Sequence, residues 1–120
     1  MKLTVFELQD KKMNALKFDE KGLIPAVIQD ADTGEVLMLG FMNKESLLRT
    51  YKSGEVWFYS RTRQELWHKG ETSGNIIKLK DIKYNCENNS LLVTAYPSGP
   101  VCHTGHKTCY YRELTEKDIE

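Results

Sequence analysis

The feature that most limits the fold is a succession of short apolar runs, each broken by turn chemistry before it reaches helical length. Residues 23–29, 35–42, 55–60, 76–84, 91–96 and 109–114 are rich in β-branched and aromatic side chains, the composition of strands rather than of amphipathic helices. A shorter run at 66–68 adds a brief strand, and the alternation slips between Ile77 and Ile82, so the strand there is expected to be bent or bulged. Asp32-Thr33-Gly34 joins the first two runs as a hairpin, with Gly34 at the positive-φ position. Pro25 is acceptable near a strand start or on an edge. Only residues 44–53 read as a confident helix: Asn43 is an N-cap, Leu47, Leu48 and Tyr51 share a face, and Gly54 suits the C′ position. With helical crossovers missing, the expectation is an α+β, β-dominated domain: one compact antiparallel sheet with one or two short helices. Residues 1–20 suit a short strand or a helix equally, and the charged tail at 115–120 is expected to fray.

At 120 residues the chain is expected to be a single domain spanning 1–120. Lys plus Arg and Asp plus Glu both number 17, so no net field draws the chain to nucleic acid or to an anionic membrane surface, and neither is expected as a partner. The N-terminus meets acidic residues before any apolar run of signal-peptide length, and no later stretch approaches a membrane span; the sequence therefore predicts a cytoplasmic protein. The cysteines number three. In a reducing compartment an odd count disfavours a disulfide framework and leaves metal binding, catalysis or burial.

The spacing of Cys86, Cys102 and Cys109 is unlike the paired knuckles of zinc fingers. Two readings are open: three unrelated core thiols, or three ligands that leave a tetrahedral zinc one position short, as catalytic sites do. Context favours the second. Cys102-His103-Thr104-Gly105-His106 is a polar, glycine-containing loop, and a thiolate there needs a cation beside it. Zinc with an open position lowers the pKa of bound water to about 7 and needs a proton shuttle. His103, next to Cys102, is the first choice and His106 the second, each also readable as a solvated loop histidine; His68 ranks below both. A second polar cluster joins Ser60-Arg61-Thr62-Arg63 to Lys69-Gly70-Glu71-Thr72-Ser73-Gly74. Arginines grip phosphate bidentately, and glycines with small hydroxyls admit a phosphate oxygen to backbone N–H groups. The spacing is not that of a P-loop, and a solvated charged surface is the plain alternative. Trp57, Phe58, Tyr59 and Trp67 offer rings either to a purine or to the core.

The block Ser-Arg-Thr-Arg-Gln-Glu-Leu-Trp-His-Lys-Gly-Glu-Thr-Ser-Gly-Asn at 60–75, followed by Gly-Pro-Val-Cys-His-Thr-Gly at 99–105 and Thr-Cys-Tyr-Tyr at 108–111, resembles the phosphoribosyl-AMP cyclohydrolase family of histidine biosynthesis. The resemblance covers residues 22–111. It implies a zinc-dependent homodimer with the metal near the subunit interface and Cys86, Cys102 and Cys109 as ligands. The implied reaction is hydrolysis of the N1–C6 bond of N1-phosphoribosyl-AMP, which opens the purine ring to the formimino-carboxamide ribotide, by an attack like that of zinc deaminases on C6 of adenine. It further implies proton transfer by His103, with His106 second, and a phosphorylated nucleotide held by Arg61, Arg63, Lys69, Gly70, Thr72, Ser73, Gly74 and Trp67.

One stretch departs from the family pattern. The family usually reads Asp-Cys-Asp-x-Asp around the first cysteine and binds magnesium there; this chain reads Asn85-Cys86-Glu87-Asn88-Asn89. Magnesium relies on carboxylates for charge balance, so Asn85, Glu87 and Asn89 form a degenerate site expected to be weak, shifted or empty, which Asp81 joins only if the backbone brings it round. Family members are often fused to a phosphoribosyl-ATP pyrophosphatase; with the sequence stopping soon after Tyr111, that activity is expected to be absent. Two alternatives stand beside the main reading: a divergent zinc hydrolase acting on another purine nucleotide, and a non-catalytic zinc-stabilised binding module in which His103 or His106 closes the site.

Overall fold

The computed structural model describes residues 13–120; of the expectation for residues 1–20, the part at 1–12 lies outside the described residues. In β1 (Ile24–Asp30), Ile24, Ala26, Ile28 and Asp30 are buried and the residues between them are half-buried, the period-2 pattern of a strand with one face in the core. β2 (Val36–Met42) returns antiparallel, with Val27 opposite Leu39 and Ile28 opposite Met38. The turn between them is set by Asp30, whose Oδ1 accepts the N–H groups of Asp32 at 2.8 Å and Thr33 at 3.3 Å, while Gly34 takes φ 79°. The expected hairpin is present.

The expected helix is α1 (Lys44–Ser53). Asn43 Oδ1 accepts the Ser46 N–H at 2.8 Å and Ser46 Oγ accepts the Asn43 N–H at 2.9 Å, a reciprocal capping box. Gly54, at φ 73°, closes the other end by donating to Thr50 O at 3.0 Å. The helix buries Leu47, Ser46 and Thr50, and Thr50 Oγ1 accepts the Trp57 N–H at 3.0 Å, tying the helix to the next strand. β3 (Trp57–Ser60) and β4 (Glu65–His68) pair antiparallel as a separate two-stranded sheet. Phe58 of β3 is 1% exposed and lies so close to Gly40 of β2 that a Cβ added at Gly40 would sit 2.6 Å from its ring carbons.

β5 (Ile77–Tyr84) and β6 (Leu91–Pro97) complete a four-stranded sheet of order β2-β1-β6-β5. β5 and β6 are antiparallel, and their register shifts between Leu79 and Asp81, the expected irregularity. The sheet is mixed rather than wholly antiparallel, because β6 runs parallel to β1 from Ala26–Leu91 to Asp30–Ala95. No crossover helix is needed, since the chain travels through β2, α1, β3, β4 and β5 before β6 arrives beside β1. Pro25, which lacks a donor, falls before the first β1–β6 pair. The core lies under this sheet, built from Ile24, Ile28, Leu37, Met42, Ile77 and Val93 with Leu47 and Phe58.

The last expected strand, at 109–114, does not form. Cys109 donates to Leu37 O at 2.8 Å, but Tyr111 stacks on His106 instead of entering a ladder, and Leu114 is exposed. The tail closes with one 3₁₀ turn, Glu116–Ile119, capped where the Asp118 carboxylate accepts the Thr115 N–H and hydroxyl, both at 2.8 Å.

Candidate functional site

Two loops face each other across a cleft of about 290 Å³. One side is Trp67, Lys69, Gly70, Glu71, Thr72, Ser73 and Asn75; the other is Pro100, Val101, Cys102, His103 and Gly105. The first loop is wound tightly around Asn75. Gly70 sits at φ 87°, where a Cβ would collide with the Asn75 carbonyl, and a Cβ on Gly99 would collide with the Asn75 side-chain amide. Gly74 donates to Gly70 O at 2.8 Å, and Ser98 anchors the neighbouring turn by donating from N at 3.0 Å and from Oγ at 2.7 Å to Ile76 O. Lys69 crosses the cleft and donates to Val101 O at 2.6 Å, its ammonium 5.1 Å from the Trp67 ring centroid.

The second loop, 102–109, is fastened at its far end to the β1–β2 hairpin. Thr108 Oγ1 donates to Val36 O at 2.7 Å, the Cys109 N–H donates to Leu37 O, and Lys107 Nζ pairs with Asp30 at 3.2 Å and Glu35 at 3.1 Å. Within the loop Cys102 donates from N to His106 O at 3.1 Å and Gly105 returns a bond to Cys102 O at 3.0 Å. The result makes Cys102 and Cys109 electrostatic neighbours, each shifting the other's thiol.

The electrostatics of the pair are asymmetric. Thr104 Oγ1 donates to Cys102 Sγ at 3.0 Å, and this bond, followed by the Thr104 backbone, holds the Cys102 thiol below the usual cysteine range. Desolvation, then the neighbouring Cys102, pushes Cys109 up. Burial pulls Lys69 down, and Coulombic attraction to Cys109 and Cys102 opposes that shift. The Thr104 hydroxyl also lies 3.0 Å from His106 Nδ1, so it bridges the Cys102 sulfur and the imidazole. The His106 ring stacks on Tyr111 with centroids 3.6 Å apart and planes 2° from parallel.

Of the residues singled out from the sequence, Trp67, Lys69, Gly70, Thr72, Ser73, Cys102 and His103 meet in the cleft, with Cys109 against Cys102 and Gly74 closing the loop behind. Arg61 and Arg63 do not line it: Arg61 lies 3.9 Å over the Phe41 ring, and Arg63 lies 5.8 Å over Trp67 and pairs with Glu65 at 3.4 Å. His68 stacks on Trp57 and bonds Glu55 at 2.8 Å. Cys86 lies on the turn after β5, whereas Cys109 sits beside β2, at the opposite edge of the sheet. Three strand spacings put those edges about 14 Å apart, and among the described residues no group of three His, Cys, Asp or Glu side chains could hold one ion. Asn85, Glu87 and Asn89 bond to one another inside their turn, and Asp81 is held further along β5 by the Thr94 hydroxyl and by Lys83. Sequence reasoning missed Thr104, Asn75 and Lys107. A hydroxyl two residues after a cysteine in a polar loop was the available signal for Thr104; Asn75 and Lys107 act across the fold and left none.

Fold and cleft together define a small β-dominated domain that presents a thiol pair to a loop of hydroxyls, amides and one lysine, a layout suited to a polar, anionic ligand. The family model of phosphoribosyl-AMP cyclohydrolase matches residues 38–111. The chain is 55% identical over 107 residues to the histidine biosynthesis bifunctional protein HisIE of Bacillus subtilis, a match covering 89% of this chain and 51% of that protein. It is 50% identical over 106 residues to the phosphoribosyl-AMP cyclohydrolase of Clostridium botulinum, covering 88% and 97%, and 56% identical over 99 residues to that of Lacticaseibacillus casei, covering 82% and 90%. The chain belongs to the phosphoribosyl-AMP cyclohydrolase family. It spans about half the length of the bifunctional relatives it matches.

Proposed function

We propose that this chain hydrolyses the N1–C6 bond of N1-phosphoribosyl-AMP in histidine biosynthesis, with zinc held by Cys102 and Cys109 of one copy and Cys86 of a second. The observation that carries the reading is the cleft itself, in which Cys102 lies on the wall opposite the 69–75 loop with Cys109 as its neighbour. Two neighbouring soft donors, one held toward thiolate by Thr104, fit zinc. Zinc bound there supplies the water activation that ring hydrolysis at neutral pH requires.

The remaining work falls to the chain's own groups. Lys69, the hydroxyls of Thr72 and Ser73 and the loop backbone hold phosphate. Trp67 offers a ring face to the base. His103, exposed on the cleft wall beside Cys102, is free to move a proton to or from the ring nitrogen that leaves, and that nitrogen stays tethered to the product. His106, engaged by Thr104 and Tyr111, is the second choice.

The third ligand requires a partner, because Cys86 stands at the far edge of its own sheet. The outer face of that sheet carries an apolar row, Leu39, Val27 and Leu92, aligned across three strands and partly or wholly exposed. A two-fold axis lying in this face, across the line from the β2 edge to the β5–β6 turn, can bring Cys86 of one copy opposite the thiol pair of the other. Among the described residues no helix is long and apolar enough to cross a membrane, and we propose a cytoplasmic homodimer.

The test is to incubate zinc-loaded protein with phosphoribosyl-AMP and follow near-ultraviolet absorbance as the ring opens. Turnover is expected; no turnover from folded, zinc-bearing dimer rejects the assignment.

A further inference from the structure

The 85–90 turn joins β5 to β6 and carries Cys86. Where the family usually has three aspartates, the residues of this chain spend their polar atoms inside the turn. Asn85 Oδ1 accepts two backbone N–H groups, from Asn89 at 2.9 Å and Ser90 at 3.0 Å. That fixes which end of the amide is oxygen, and its Nδ2 donates to Asn89 Oδ1 at 2.6 Å. Asn89 Nδ2 in turn points at Glu87 Oε2, 3.4 Å away. The backbone adds Asn88 N to Asn85 O at 3.0 Å and Asn85 N to Ser90 O at 3.2 Å. Asn88, at φ 60°, fastens the turn to the N-terminal side of β1: its amide donates to Ala15 O at 3.1 Å and its carbonyl accepts the Lys17 N–H at 2.7 Å.

This donor set does not fit magnesium. The ion demands an octahedron of oxygens and anionic charge. Here the inward oxygens of Asn85 and Asn89 are neutral and already occupied, amide hydrogens share the same space, and Glu87 supplies the one carboxylate.

We propose that the Asn85–Asn89 hydrogen bonds form a cation-free amide clasp that closes the turn and positions Cys86, taking the place of the family's magnesium ion. The part concerning Cys86 rests on its role as a zinc ligand proposed above; the part concerning magnesium does not. With aspartates at both positions, the short Asn85–Asn89 contact would join two carboxylates beside Glu87, a repulsion that a divalent cation relieves. A single Asn85→Asp change is milder, because the Asn89 amide can turn over and donate.

Thermal melting of the zinc-loaded full chain, with and without millimolar magnesium, tests the clasp, together with zinc release to a chromophoric chelator. Wild type is expected to melt at one temperature and release zinc at one rate whether or not magnesium is present. Asn85→Asp/Asn89→Asp is expected to melt lower in magnesium-free buffer and to recover when magnesium is added. Asn85→Ala, which removes the clasp without adding charge, is expected to release zinc about tenfold faster, the usual size of effect for a residue that orients a metal ligand, and magnesium should not rescue it. The proposal is overturned if wild type binds magnesium with a micromolar Kd by calorimetry, if magnesium raises its melting temperature, if the double variant is as stable as wild type without the ion, or if Asn85→Ala keeps its zinc. The wild-type titration decides the matter even if the variants fail to fold. None of these readouts uses turnover, so failure to hydrolyse phosphoribosyl-AMP removes the proposed function and leaves the clasp standing.

Discussion

The two segments that carry the cysteines are held by opposite means. The 102–109 loop takes its shape from distant parts of the chain: Thr108 and Cys109 bond to β2, Lys107 pairs with Asp30 and Glu35, and Lys69 reaches across to Val101. The 85–90 turn closes mainly upon itself through Asn85 and Asn89, with Asn88 as its tether to Ala15 and Lys17. The first geometry belongs to the whole fold and fails when the fold loosens; the second survives remote damage and fails to changes within six residues. If the two segments serve one metal, their weak points are independent.

The sharpest way to break this contrast is to mix two variants. Cys86→Ser and Cys102→Ser should each abolish zinc binding alone. Unfolded together and refolded at equal concentrations, they should recover about a quarter of the wild-type sites, because half the dimers are mixed and each mixed dimer has one complete ligand set. Zinc per chain, measured after refolding, checks this; no recovery would show that the two segments do not share an ion across copies.

A smaller effect is expected from Gly70→Ala. The added methyl is strained at the native positive φ and meets the Asn75 carbonyl, at a cost of about 2 kcal/mol. The urea midpoint should fall and the 69–75 wall should shift, while the amide proton signals of Asn89 and Ser90 in the opposite turn stay in place by NMR. Movement of those signals would deny the independence of the two segments.

The smallest effect concerns the anchor beneath Lys107. The Asp32 backbone N–H, with Lys107 and the Thr33 N–H adding to it against the opposing pull of burial, holds the Asp30 carboxyl below its ordinary range. A depressed carboxylate pKa contributes stability that is present above the unfolded-state value, about 3.9, and is lost as pH falls through the lower folded value. Asp30→Asn should therefore cost about 1 kcal/mol at pH 7, and its stability should fall less than that of wild type between pH 5 and pH 2, as read from urea midpoints. A parallel decline would remove the charge from the anchor.

What was legible in the sequence follows the same division between local and distant. Asn43, Gly54 and the 32–34 turn act on neighbours a few residues away, and the helix and first hairpin lie where those signals put them. The slip between Ile77 and Ile82 was likewise a local mark of the β5 irregularity. The parallel pairing of β6 with β1 joins segments far apart in sequence, and nothing in either run announces a direction. Residues 109–114 have the composition of a strand, yet beyond Cys109 they enter no ladder, and Tyr111 stacks on His106 while Tyr110 is exposed. At the site, Lys69, Gly70, Cys102 and His103 were visible as residue types in a telling order. Thr104 and Asn75 were not, because a hydroxyl on sulfur and an amide wedged between two glycines become meaningful only once the loops face each other.

The contact between Gly40 and Phe58 sets a limit on how the site can change. The small sheet is keyed to β2 at a point with no room for a methyl group, so it has little freedom to slide outward and widen the cleft that its own β4 leads into. Any lineage drifting toward a bulkier ligand would have to rewrite the 69–75 loop, where glycines and small hydroxyls are cheap to exchange in sequence but costly in shape. Position 40 is thus a spelling constraint on the cleft, placed outside it.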